Sequence, residues 1–273
     1  MRLFPLCCAL LFLAMFKPLP VGAAGALEFV WEDRFSQREQ KRLTAWIEET
    51  TKALESLVGP FPMPIRIHFY RREGAGEPVP WAHTWRSLPQ SVHFYVDPAF
   101  SLRAFRHDWT APHEISHLIL PYLGQRHAWF AEGFASFMQY PVMQAMGVLS
   151  ADDARQRLQH NLARARRDYR HHRTPFARAA PKLRREGRYP TLYWGGAAYF
   201  LQVDAALARQ GTDLPAVLAD YLACCRRPHD RLDRLVRDLD RLSGGEAFRT
   251  GLARFQSEPG FPEAPRLAYD ITR

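Results

Sequence analysis

Apolar positions change their period several times along this 273-residue chain, and each change marks an element. Residues 27–33 read as a strand. Ser36-Gln-Arg-Glu39 has the form of a capping box. After it Leu43, Ile47, Thr50, Leu54 and Leu57 recur at helical spacing, which predicts an amphipathic helix over 37–58, ended by Gly59-Pro60. Residues 65–70 alternate apolar and polar as a half-buried strand does. The stretches 79–86 and 91–96 read as two more strands, the second stopped by Asp97-Pro98. From there the helical period dominates, near 110–120, 128–138, 150–170, 191–210, 213–225, 229–242 and 245–256. Leu232, Leu235, Val236 and Leu239 give the helix over 229–242 an apolar stripe. Residues 170–181, with Pro175 and Pro181, read as a loop, and the Pro-rich last dozen residues as a tail. The pattern predicts an α+β chain, with a small mixed sheet and helices in 27–120 and a mostly helical half in 121–273.

The first residues follow a different rule. Met1-Arg2, an apolar run from Leu3 to Phe16, then Lys17 and small residues up to Ala26 have the form of a secretory signal peptide over 1–26. The run is shorter than the roughly 20 residues that span a bilayer, so no transmembrane anchor is expected in the mature chain. Export to the periplasm or the medium is the expectation. Two cysteines then remain, Cys224 and Cys225. Their adjacency disfavours a bond between them, and they are expected to be thiols.

Charge is concentrated. The chain carries a formal +9, and the segment 155–188 alone holds eleven arginines and Lys182 against Asp168 and Glu186. Such a stretch is either a solvated face and loop or a surface for an anionic polymer of the cell envelope, lipid head groups or an acidic substrate. Nucleic acid is not the expected partner, because aromatic residues are sparse in the segment and an exported protein rarely meets nucleic acid.

The chemistry sits between the sheet and the helical half. Thr110-Ala-Pro-His-Glu-Ile-Ser-His-Leu contains His113, Glu114 and His117 in the pattern H-E-x-x-H. On a helix, residues four apart share a face, so the two imidazoles can point at one metal ion. Glu114, beside them, can accept a proton from an activated water. Random placement of the chain's histidines and glutamates would produce this pattern in roughly 2% of cases. A zinc site with two histidines needs a third protein ligand and an open position. Glu132, in Ala128-Trp-Phe-Ala-Glu-Gly-Phe-Ala-Ser-Phe-Met138, follows a connection marked by Pro121 and Gly124, and is the candidate. Gly133 leaves room there for close backbone approach.

His-Glu-Ile-Ser-His followed by Trp-Phe-Ala-Glu-Gly-Phe-Ala resembles the gluzincin metallopeptidases, above all compact bacterial peptidase MA-like families that pair H-E-x-x-H with W-x-x-E-G-x-A. Aminopeptidase N-like and glycyl aminopeptidase families share the arrangement with a longer gap. The resemblance covers roughly residues 108–210. It implies a zincin-like fold, one catalytic zinc per chain held by His113, His117 and Glu132, Glu114 as base, and hydrolysis of a peptide or protein substrate. Thr191-Leu-Tyr-Trp-Gly-Gly-Ala-Ala is similar to the Y-x-x-G-A stretch of these families, which implies Tyr193 as the donor to the oxyanion. The strand before the metal helix lines the cleft in such folds, which implies Trp81, His83 and Trp85 as substrate-binding residues.

Two departures accompany the resemblance. The G-x-M-E-N segment that holds a free amino terminus in aminopeptidase N-like enzymes is absent, which leaves endo- and exo-action open. Ser136 stands where some gluzincins place an acid, so another group must orient a zinc histidine, with Asp108, Asp204 and a backbone carbonyl as options. The alternative function is a non-catalytic, zinc-stabilised envelope protein that binds anionic polymers through 155–188. An intact Glu114 counts against it, because a structural zinc needs no base.

Overall fold

A computed structural model describes residues 25–86 and 88–265. The expected signal peptide falls, except for Gly25 and Ala26, outside the described residues. Strand β1 (Leu27–Trp31) leads into α1 (Gln37–Val58), then β2 (Ile65–Arg71), β3 (Trp81–Trp85) and β4 (Ser91–Val96). Helix α1 starts at the capping box: Ser36 accepts from the Glu39 N–H and the Glu39 carboxylate accepts from the Ser36 N–H.

The four strands form one mixed sheet in the order β1-β2-β4-β3. β1 and β4 run parallel to β2, and β3 lies antiparallel on β4 at the edge. Alternation sorts the faces. Ile65, Ile67, Phe69, Val92, Phe94 and Val96 are buried, and Trp46 of α1 packs on Phe94 at 5.2 Å between ring centroids. The other face carries His68, Tyr70, His93, Tyr95 and His83. The rings of His68, His93 and His83 stack across the three strands at 4.2 and 4.7 Å.

The rest of the described chain is helical: α2 (Leu102–His107), α3 (Thr110–Ser116), a 3₁₀ turn (Gln125–His127), α4 (Ala128–Ala145), α5 (Ala151–Asp168), α6 (Phe176–Arg185), α7 (Tyr189–Ala208), α8 (Leu214–Cys224), α9 (Leu232–Ser243) and α10 (Ala247–Ser257). This is the expected α+β architecture. One apolar cluster links the sheet side, through Trp46 and Phe94, to the helical side, through Phe130, Tyr199 and Phe255. None of the described helices is long and apolar enough to cross a membrane.

One helix joins the expected elements and two local readings change. Helix α2 starts at Ser101, whose hydroxyl accepts from the Ala104 N–H. The stretch expected to be a loop is helical from Phe176 on: residues Phe176–Arg185 form α6, with Pro181 inside it. Burial of Phe176, Ala179, Ala180 and Leu183 along one side outweighs the hydrogen bond that proline deletes. Cys224 and Cys225 are bonded to each other rather than free. Cys225 leaves helical geometry at the end of α8, with φ −134° and ψ −5°, which lets its sulfur turn back to its neighbour.

Candidate metal centre

Helix α3 carries His113 and ends at His117, its C-cap residue. Asp108 Oδ1 accepts from the Thr110 N–H at 2.8 Å, and this cap starts the helix. His117 follows its last residue with helical φ and ψ, and its N–H still donates to the His113 carbonyl. The i, i+4 relation therefore holds up to the final residue of the motif. Both histidines are buried, at 2% and 4% exposure.

Glu132 comes in from the first turns of α4. Its Oε2 lies 3.3 Å from His113 Nε2 and 3.4 Å from His117 Nε2. The three donor atoms all lie within 4.8 Å of one another. A tetrahedral zinc with bonds of about 2.0–2.1 Å separates its ligand atoms by roughly 3.3–3.4 Å, so the donor set has the chemistry and the spacing for that ion. Burial by itself would raise the Glu132 carboxyl, but the facing His117 and the hydrogen bonds with both imidazoles hold it well below the usual carboxylate range. Burial pulls the His117 imidazole down, with the Arg86 charge adding to it. His113 goes the other way, because Glu132 and Glu114 outweigh its burial.

The group that orients His113 is Gln139, whose Oε1 stands 3.4 Å from Nδ1. A glutamine carbonyl there selects the tautomer that leaves Nε2 free to ligate. Gln139 sits seven residues after Glu132, two turns along the same face of α4. Asp108 and Asp204 have other work: Asp108 caps α3, and Asp204 Oδ1 accepts from the Leu214 N–H at the start of α8.

Glu114 is held from the sheet. Thr84 Oγ1 lies 2.8 Å from Glu114 Oε2 and 2.7 Å from the Glu114 carbonyl oxygen. Thr84 is thus the side chain through which β3 reaches the centre. Alternation turns Trp81, His83 and Trp85 to the opposite face, where the His83 ring stacks on His93 and the indoles are 64% and 58% exposed. All three still border the cleft along the strand edge. The cleft has a volume of about 780 Å³, and Glu114, His117 and Glu132 lie in its wall. Tyr122, Arg86, Tyr189 and Tyr193 complete the surface around them.

Tyr193 is brought in by α7. Its ring lies 5.7 Å from the His113 ring. Burial first, then the charges of Glu132 and Glu114, push its phenol far up, so the hydroxyl remains a proton donor. Helix α7 approaches this near because α4 and α7 touch through glycines. A Cβ on Gly133 would stand 2.7 Å from the Ala197 nitrogen and closer still to Gly196.

This arrangement has relatives among solved structures. The chain shares its fold with zinc metallopeptidases of known structure. An aminopeptidase N family protein from Idiomarina loihiensis superposes with a TM-score of 0.63 at 15% identity, covering 88% of this chain and 46% of that one. An M1 zinc metallopeptidase mutant from Deinococcus radiodurans, bound to a Tyr-Ser-Ala substrate, superposes with a TM-score of 0.51 at 15% identity, covering 78% and 45%. A two-domain M1 zinc metallopeptidase mutant bound to L-tryptophan gives 0.53 at 15%, covering 89% and 51%. The chain spans about half the length of these structures. No family model matches the sequence, and no curated protein matches it either.

Proposed function

We propose that this chain is an exported, zinc-dependent metallopeptidase that hydrolyses peptide bonds. The observation that carries the reading is the convergence of His113, His117 and Glu132, with Glu132 Oε2 at 3.3 and 3.4 Å from the two imidazoles, and with Glu114 beside them in the wall of an open cleft. A structural zinc site is closed and needs no neighbouring base; this one opens to the cleft and has one.

Zinc bound by these three residues supplies a Lewis acid for the peptide carbonyl and makes water acidic enough to attack near neutral pH. Thr84 holds Glu114 with its carboxylate turned to the cleft. Glu114 takes the proton from the attacking water and returns it to the leaving amine. Tyr193 donates its hydroxyl to the oxygen that gains charge as the carbonyl is attacked. Gln139 keeps His113 in the tautomer the site requires. The edge position of β3, with Trp81, His83 and Trp85, borders the substrate.

Peptide hydrolysis should be abolished by a chelator and restored by one equivalent of zinc. His113→Ala with His117→Ala should remove the metal, measured by elemental analysis. A zinc-replete wild-type protein that cuts no member of a peptide library, read by mass spectrometry, would count against the peptidase reading. Export is supported by the Leu3–Phe16 run, and amino-terminal sequencing of secreted protein should begin near Gly25 or Leu27. Arg164, Arg166 and Arg167 of α5 and Arg178, Arg184 and Arg185 of α6 are exposed and suit an anionic envelope polymer. Such binding should weaken steeply with salt.

A further inference from the structure

Arg86 is a charged group of the cleft, beside His117, for which the hydrolytic chemistry has no use. It follows β3 directly and stands among the cleft residues beside His117 and Tyr122. Its guanidinium offers five N–H donors. The contacts it makes are thin. Nη1 donates to the Pro121 carbonyl at 3.5 Å, Nη2 lies 3.4 Å from His117 Nδ1, and the guanidinium carbon is 5.9 Å from the Tyr122 ring centroid.

The contact with His117 cannot serve as a hydrogen bond in the metal-loaded site. An imidazole that ligates through Nε2 carries its proton on Nδ1, and Nδ1–H then faces a guanidinium N–H, donor against donor. Glu132 and Glu114 act on Arg86 through space, but among the described residues no carboxylate reaches it at ion-pair distance. With one long bond to the Pro121 carbonyl as its only protein acceptor among the described residues, the guanidinium has donors left over, and a ligand that supplies charged acceptors is favoured.

The charge of the cleft points the same way. Its wall carries Arg86 and Arg184 against Glu114 and Glu132. A divalent cation at the histidine site makes that sum positive, which repels an ammonium group and attracts an anion. Resting on the metallopeptidase reading, we infer that Arg86 forms a carboxylate-binding subsite beside the scissile position, so that the preferred substrates are peptides bearing a carboxylate there. That carboxylate is either the carboxyl terminus of the peptide or an acidic side chain.

Four peptides separate these sources: acetyl-Ala-Ala-Glu and acetyl-Ala-Ala-Gln, each with a free or an amidated carboxyl terminus. Binding is read by calorimetry on zinc-loaded Glu114→Gln protein, so that the complex is not consumed. At least one carboxylate peptide should bind about 10- to 100-fold more tightly than the Gln amide. The Glu amide and the Gln free acid then say which carboxylate is read. Adding Arg86→Gln should collapse the difference, and Arg86→Lys should restore part of it, with zinc content and circular dichroism as checks that both variants fold. Equal affinity for the four peptides, no measurable binding of the carboxylate peptides, or a difference that survives in folded Arg86→Gln overturns the subsite. Hydrolysis of the same peptides, and of their forms with a free amino terminus, by wild-type protein reports separately on the peptidase reading: cleavage without preference defeats the subsite alone, and preference in binding with neither form cleaved defeats the peptidase reading alone.

Discussion

Gly133 of α4 and Gly196 of α7 meet backbone to backbone, with no side chain between them. A Cβ at Gly196 would stand 2.9 Å from Gly133 Cα and nearer still to the Trp129 carbonyl oxygen. Glu132 precedes the first glycine by one residue, and Tyr193 precedes the second by three. The contact therefore sets the distance between the proposed third ligand and the proposed oxyanion donor.

Gly196→Ala should separate the two helices. The obstacle is backbone, which cannot rotate away, so a loss of about 3 kcal/mol of stability is expected in denaturant titration. Turnover should fall further than zinc content, because α7 carries Tyr193 but no ligand. A variant with unchanged stability and turnover would show that α4 and α7 are not held together by this contact.

Glu114→Gln keeps the shape and removes proton acceptance, so zinc should stay bound while turnover falls by about 10²–10⁴-fold. Thr84→Val removes only the hydroxyl that holds Glu114. A hydrogen bond to a charged group contributes about 1.5–3 kcal/mol, so a fall of about 10-fold or more is expected, again with zinc retained. Normal turnover in Glu114→Gln would refute the mechanism; normal turnover in Thr84→Val would show that Glu114 finds its position unaided.

Tyr193→Phe tests a group that acts only as charge develops. Turnover should drop by roughly 10²–10³-fold with KM little changed. Packing against His113 survives in the phenylalanine, so the melting temperature should hold. If turnover is normal, Tyr189, His171 and His172 become the next candidates for the donor.

The stacked histidines of the sheet predict an acid-side loss of stability. Burial, reinforced by His68 and His83 and opposed by Glu32, lowers the His93 pKa from 6.5 to about 4. Between those values the unfolded chain takes up a proton that folded His93 refuses. Stability should therefore fall as the pH drops from about 6.5 to about 4. His93→Phe keeps a ring between its neighbours and removes the titration, so its unfolding midpoint should depend less on pH over that window. An unchanged slope would assign the acid loss to other groups.

What the sequence by itself determined is local in origin. Helix α1 begins at its capping box and ends before Gly59, and β4 has its expected bounds, because caps, breakers and periodicity act over a few residues. The spacing of His113 and His117 places both imidazoles on one side of α3, and Glu132 meets them across one short connection. Helix α6 escaped because local signals weigh Pro181 and not the core that receives Phe176 and Leu183.

Tertiary structure decided the surroundings of the centre. A strand's pattern leaves open which of its two faces meets a given helix, and in β3 it is Thr84, not its aromatic neighbours, that reaches Glu114. Gln139, two turns beyond Glu132, reaches His113 only because α4 runs on past α3, where Ser136 had marked the place for an acid. Arg86 became a cleft residue through the packing of β3 against α3, a long-range contact that no spacing within the chain encodes. Side chains joined by sequence separation of a few residues can be read from helix and strand geometry; those joined across thirty residues wait on register and packing.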